Sequence, residues 1–123
     1  MILVDTSVWI DHLRAGDEQL VRLLGECKVL AHPFVIGELA MGNLRSRSVV
    51  LSAFEDLPQA QVASEAEVLR FIEERSLHGM GIGYVDAHLL PAAILTPGAL
   101  LWTREKRLTT ASKKLGIAAN RTH

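Results

Sequence analysis

Cysteine is almost missing from this chain. Cys27 stands alone, so no internal disulfide can form, and without a Cys-x-x-Cys pair there is no zinc ribbon. That usage fits a reducing cytosol. A basic leader is missing too: Met1-Ile2-Leu3-Val4 meets Asp5 at once, which is not the pattern of a signal peptide. No apolar run is long enough to span a bilayer. The greasiest stretch, Leu89 to Trp102, is broken by Pro91, Pro97 and Gly98. The formal net charge is only -1, which argues against broad electrostatic capture of nucleic acid. His12, His32, His78, His88 and His123 show no His-x-x-x-His or comparable ligand pairing and read as bystanders or surface residues. Repeats, linkers and low-complexity segments are absent.

The composition that remains, 49% apolar and 22% charged over 123 residues, is that of one folded domain spanning 1–123. A chain of this size buries about two-thirds of the surface it exposes when unfolded. Its charge is unevenly spread. From Leu101 onward Arg104, Lys106, Arg107, Lys113, Lys114 and Arg121 face Glu105 alone, and Arg45 and Arg47 form a second basic spot. These are either a solvated helix face or groups that hold a polyanion.

Along the chain, Ile2 to Asp5 reads as a short buried strand, followed by Asp5-Thr6-Ser7 as helix-capping chemistry ahead of Val8-Trp9-Ile10. Asp17 to Cys27 carries a helical apolar stripe, and Lys28 to Ala31 is a second strand. Pro33 suits the first turn of a helix that carries Glu38 and ends near Gly42. A helix from Ser48 to Leu57 and a short strand at Gln61-Val62-Ala63 come next. Ser64-Glu65-Ala66-Glu67 has capping-box spacing for a helix ending near Gly79. A helix with Asp86, a strand from Ala99 to Thr103, a helix from Glu105 to Leu115 and a strand around Ile117-Ala118 complete the pattern. Strands alternating with helices imply a parallel sheet covered on both faces, with ligands beyond the carboxyl ends of the strands. Asp5 and Thr103 fall at such ends.

Four acids then stand out: Asp5, Glu38, Asp86 and Glu105. Glu38 has Phe34, Val35, Met41 and Gly42 three and four positions away; Asp86 has Ile82, Gly83, Leu89 and Leu90. No charge partner is among them. Asp5 has a competing account as a helix N-cap, and Glu105 as an acid in a helix's first turn. Two like charges about 4 Å apart repel by roughly 4 kcal/mol at an effective dielectric near 20. Acids that converge therefore take up protons or bind a cation. Oxygen ligands without Cys or His select Mg²⁺ or Mn²⁺, which points to phosphoryl-transfer chemistry.

The order of these motifs resembles the PIN-domain ribonucleases. Ile2-Leu3-Val4-Asp5-Thr6-Ser7-Val8-Trp9, a Gly-Glu-Leu helix, Tyr84-Val85-Asp86-Ala87 and Leu101-Trp102-Thr103-Arg104-Glu105 carry the likeness, which is closest to the short VapC-type toxins of bacterial toxin–antitoxin pairs. The resemblance implies a three-layer α/β/α sandwich with a central parallel sheet and a Mg²⁺- or Mn²⁺-dependent endoribonuclease activity. It also implies an RNA substrate, a cognate antitoxin and a homodimer. By position Asp5, Glu38 and Asp86 match the three core acids. Glu105 fills a fourth slot usually held by Asp and would be a catalytic acid that ligates a second metal, and Thr103 would hydrogen-bond a ligand or phosphate oxygen. Arg104, Lys106 and Arg107 would hold RNA phosphates, and Trp9 reads as core or as an interface residue that would receive a partner helix. Pro91 departs from the pattern and should kink or interrupt the Asp86 helix. Three other readings compete. A haloacid-dehalogenase-like enzyme needs Asp-x-Asp, but residue 7 is Ser. A receiver-type domain needs an acidic pair and a late-strand Lys that are not evident. A catalytically inactive PIN-like module would fit Glu at position 105.

Overall fold

The computed structural model describes residues 1–119. Arg121 and His123, read above as a basic-tail residue and a bystander, lie outside them. A sheet of three parallel strands forms the centre, in the order β2-β1-β3: β1 (Ile2–Val4), β2 (Val29–Leu30) and β3 (Leu100–Trp102). Ile2 aligns with Val29 on one side and Leu100 on the other, and Val4 aligns with Trp102. The strands are short but apolar on both faces, as helices packed above and below demand.

Two single bridges widen the sheet, Ala31 with Gln59 and Leu101 with Ala118, both parallel. The second matches the strand expected around Ile117-Ala118. The strand expected at Gln61-Val62-Ala63 does not form. Pairing occurs two residues earlier, where Ala31 donates to Pro58 O and Ala60 donates to Ala31 O, both at 2.8 Å. Gln61 N–H goes instead to Thr96 Oγ1 at 2.8 Å.

The helices among the described residues are α1 (Thr6–Ala15), α2 (Glu18–Gly25), α3 (Pro33–Ala40), α4 (Arg47–Asp56), α5 (Glu65–Glu74), α6 (Tyr84–Ala87), α7 (Leu89–Leu95) and α8 (Lys106–Lys114). The capping box of α5 forms reciprocally, Glu67 N–H to Ser64 Oγ at 3.1 Å and Ser64 N–H to Glu67 Oε1 at 2.9 Å. That helix ends before Gly79. Ser76 takes a left-handed φ of 53°, Leu77 N–H reaches back to Ile72 O, and Ser76 N–H reaches Glu73 O, a Schellman stop. Cys27, with φ 57°, ends α2 the same way rather than extending its apolar stripe: Lys28 N–H bonds Leu23 O.

The predicted interruption near Pro91 lies at His88, between α6 and α7. Pro91 has no N–H for the carbonyl of Ala87, four residues back, and its ring crowds that carbonyl. The chain therefore closes one short helix and starts another. Proline in the first turn of α7 then costs no hydrogen bond.

The core gathers Leu3, Val4, Val8, Leu20, Leu89, Leu90, Leu101, Trp102 and Leu108 around the sheet. Trp9 belongs to it as well, 3% exposed and edge-on to Phe54 with centroids 4.6 Å apart, so it is not an exposed partner contact. His32 and His88 are likewise buried rather than on the surface. Among the described residues no helix is long and apolar enough to cross a membrane.

Candidate metal centre

Asp5 follows β1 directly and caps α1. Its N–H donates to Trp102 O at 2.9 Å, which ties the end of β1 to the end of β3. Its side chain is only 3% exposed, and the two carboxylate oxygens differ sharply. Oδ2 accepts from Ser7 Oγ at 2.7 Å, from Thr103 Oγ1 at 2.8 Å and, at a longer 3.4 Å, from Ser7 N–H. Oδ1 is buried with no hydrogen-bond partner among the described residues. Capping thus accounts for one oxygen and leaves the other orphaned, a costly state for an ionised group.

The two hydroxyls that clasp Oδ2 are themselves fixed. Ser7 Oγ accepts from Arg104 N–H at 3.0 Å, and Thr103 Oγ1 from Glu105 N–H at 3.1 Å. Each gives its single hydrogen to Asp5 and takes one from the backbone after β3. The adjacent Thr6 serves a different acid, donating its hydroxyl to Glu38 Oε1 at 2.7 Å. Glu38 is exposed on α3, and this bond turns its carboxylate toward α1. The sequence shows the hydroxyls at 6 and 7, but not that they divide between two acids.

Asp86, half-buried on α6, completes the group. Asp5, Glu38 and Asp86 each offer a carboxylate oxygen, and the three lie within 4.8 Å of one another. Burial, followed by the negative charges of Asp5, Glu38 and Glu105, pushes the Asp86 carboxyl up to about 6.

Glu105 stands outside this cluster. It is the N-cap of α8, with Oε2 accepting from Leu108 N–H at 2.7 Å. Its charge is still felt at Asp86, but its carboxylate is turned to the helix. Arg104 is also not where phosphate binding would need it. The guanidinium pairs with Asp11 at 2.8 Å and Asp17 at 2.5 Å, lies 5.6 Å over the Trp102 ring and is mostly buried. Lys106 and Arg107 remain exposed.

A row of rings running from the start of α3 to α6 carries no sequence signal of the usual kind. His32 caps α3, with Nδ1 accepting from Phe34 N–H at 3.0 Å, and burial and the nearby His88 push its pKa down to about 4. Phe34, His88 and Tyr84 continue the row. Only the spacing of four between Tyr84 and His88 hinted at it.

Comparison with known proteins follows the same lines. The PIN domain family matches residues 2–114. Ribonuclease VapC32 from two strains of Mycobacterium tuberculosis is 52% identical over 118 residues, covering 96% of this chain and 95% of that protein. Among solved structures, the crystal structure of FitAcB from Neisseria gonorrhoeae superposes with a TM-score of 0.62 at 21% identity. It covers 92% of this chain and 94% of that one, a likeness of fold.

Proposed function

This chain belongs to the PIN-domain family, and from that premise we propose that it is a VapC-type toxin, an endoribonuclease that hydrolyses RNA phosphodiester bonds at Asp5, Glu38 and Asp86 with Mg²⁺ or Mn²⁺. The observation that carries the proposal is the meeting of three acids, Asp5, Glu38 and Asp86, with one carboxylate oxygen from each within 4.8 Å of the others, at a residue whose Oδ1 is buried and without a hydrogen bond among the described residues. Buried carboxylate oxygens without hydrogen bonds are rare unless a cation is their partner. The donor set is all oxygen, which suits a hard divalent ion.

Such an ion, when bound, supplies Lewis-acid charge at the phosphate and makes water a better nucleophile. The residues of the chain do the rest. Ser7 and Thr103 hold Asp5 so that one oxygen faces the cluster. Thr6 orients Glu38. Asp86, raised to about 6, holds a proton below that pH when no cation is present and gives it up on binding. Lys106 and Arg107, exposed and without an ion pair among the described residues, hold the flanking RNA phosphates. Glu105 caps α8 and tunes the negative field without holding the ion. Its Glu identity therefore lends no support to an inactive module.

The antitoxin would neutralise the acids and cover apolar surface. Trp9 cannot receive it, being buried. A groove of about 520 Å³ lies instead beside Glu38, lined by Ile10, Leu13, Leu39 and Val50 with Arg14 and Arg45 at its rim.

The test is cleavage of a mixed RNA pool by purified, partner-free protein in Mn²⁺ or Mg²⁺ and in EDTA, with Asp5→Asn alongside. Cutting that requires both metal and Asp5 is expected. Cutting by fresh Asp5→Asn protein at the wild-type rate would remove the metal-site reading.

A further inference from the structure

Arg104 lies just past β3, between Thr103 and the α8 cap Glu105, and its side chain is only 18% exposed. Arginine side chains are mostly exposed in folded proteins. This one spans three elements. Nη1 donates to Asp11 Oδ2 on α1 at 2.8 Å, Nη2 donates to Asp17 Oδ2 at 2.5 Å, and the guanidinium lies 5.6 Å over the Trp102 ring of β3. Asp17 is itself fixed as the N-cap of α2. Its Oδ1 accepts from Leu20 N–H at 3.0 Å, and its own N–H donates to His12 Nδ1 at 3.1 Å. Both acids are therefore held from one planar fork, a geometry that a lysine ammonium does not reproduce.

The backbone of the same residue reaches the metal centre. Arg104 N–H donates to Ser7 Oγ at 3.0 Å, and Ser7 Oγ donates to Asp5 Oδ2 at 2.7 Å. A hydroxyl has one hydrogen, so accepting from a fixed N–H leaves Ser7 to give that hydrogen to the carboxylate. Ser7 and Asp11 stand four positions apart on α1, on one face of the helix. Arg104 thus grips α1 twice, through its N–H at Ser7 and through its guanidinium one turn further on at Asp11. Two grips a turn apart stop α1 from turning or sliding against the end of β3. A single contact would leave a pivot.

Stability alone does not ask for the second grip, because a half-exposed Asp11 adds little to a pair already made with Asp17. What it adds is register between Ser7 on α1 and the loop after β3. Resting on the ribonuclease reading, we infer that Arg104 is a positioning residue for Asp5: its side chain clamps α1 and α2 to the end of β3, so that its N–H keeps the Ser7 hydroxyl directed at the acid.

The experiment is calorimetric titration with Mn²⁺ at neutral pH, far below the melting temperature of each variant so that lost stability does not enter. Arg104→Met and Ser7→Ala should each weaken Mn²⁺ binding by about tenfold, the usual scale when a group that orients a ligand is removed. Because both act on the same Asp5 oxygen, the double variant should bind about as weakly as Ser7→Ala alone; additive losses would overturn the inference. Arg104→Lys should regain stability through its charge but little of the affinity, and a lysine variant that binds Mn²⁺ like the wild type would overturn the clamp. At saturating Mn²⁺, Arg104→Met should cleave RNA with a lower kcat and an unchanged KM. A raised KM with unchanged kcat would place the side chain on the RNA instead. Wild-type Mn²⁺ affinity in folded Arg104→Met would overturn the inference and leave the nuclease reading standing. If Arg104→Met does not fold, Asp11→Ala decides: it releases only the outer grip and should still weaken Mn²⁺ binding, whereas unchanged affinity would overturn the inference. No Mn²⁺ binding by folded wild-type protein would remove the nuclease reading, and the clamp's role with it.

Discussion

Thr103 donates its hydroxyl to Asp5 Oδ2 at 2.8 Å, joining residues 98 positions apart. The bond exists because β1 and β3 are neighbours in parallel register, so the residues just past Val4 and Trp102 emerge side by side. With the Ser7 hydroxyl it occupies Oδ2 and leaves Oδ1 buried without a hydrogen bond among the described residues.

Asp86→Asn should abolish RNA cleavage and, in the metal-free protein at pH 7.5, raise stability. The substitution removes a half-buried charge that burial and three acids oppose. Discounted for its solvent exposure, the gain is about 1–2 kcal/mol. Thermal melting in EDTA checks it. The rise in melting temperature that Mn²⁺ gives the wild type should also shrink in the variant.

The same group sets a pH dependence. The Asp86 carboxyl sits at about 6 when folded, against an ordinary value of 3.8. Between those values the folded protein holds more protons than the unfolded chain, so metal-free stability falls as pH rises and the penalty is complete above 6. Cation binding relieves it but must displace the proton. Stabilisation by Mn²⁺ should therefore be large at pH 7.5 and weaken by about tenfold in affinity per unit below pH 6. Calorimetric titration at pH 5, 6 and 7.5 measures this; a flat profile would contradict it.

Glu105→Ala should cost about 1 kcal/mol of stability, the worth of an N-cap bond, while Glu105→Asp keeps most of it. Cleavage should drop by less than about tenfold in either, because Glu105 contributes charge and not a ligand. A loss as deep as that of Asp5→Asn would place Glu105 on the metal instead.

Arg104→Met should destabilise the fold by about 2–3 kcal/mol, leaving Asp11 and the largely buried Asp17 without their cation. Affinity for RNA should hold in that variant and fall in Arg107→Ala. Urea denaturation and RNA titration separate the two roles.

Ser76→Gly should stabilise the protein. A side chain at φ 53° costs roughly 1–2 kcal/mol, of which glycine's greater unfolded freedom returns part, for a net gain of about 0.5–1 kcal/mol. Comparison of urea midpoints at unchanged slope tests it.

Much of this protein was legible in the sequence, for reasons that are local. The alternation of short apolar strands with helices, the capping box at Ser64 and Glu67, the break that Pro91 forces and the isolation of Glu38 and Asp86 from any charge within a helical turn all depend on residues a few positions apart. The same alternation implied the parallel sheet, and the family motifs added the nuclease chemistry. The tertiary structure decided the rest, because contacts between distant residues depend on register and packing. It brought Asp5, Glu38 and Asp86 together and turned Glu105 to its own helix. It placed Arg104 under Asp11 and Asp17 and sank Trp9, His32 and His88 into the core. It also moved the edge pairing from Gln61 to Gln59, since the chain leaving α4 at Pro58 meets Ala31 before it can extend further. Side-chain type limits what a residue can do; which partner it meets is set where the strands end.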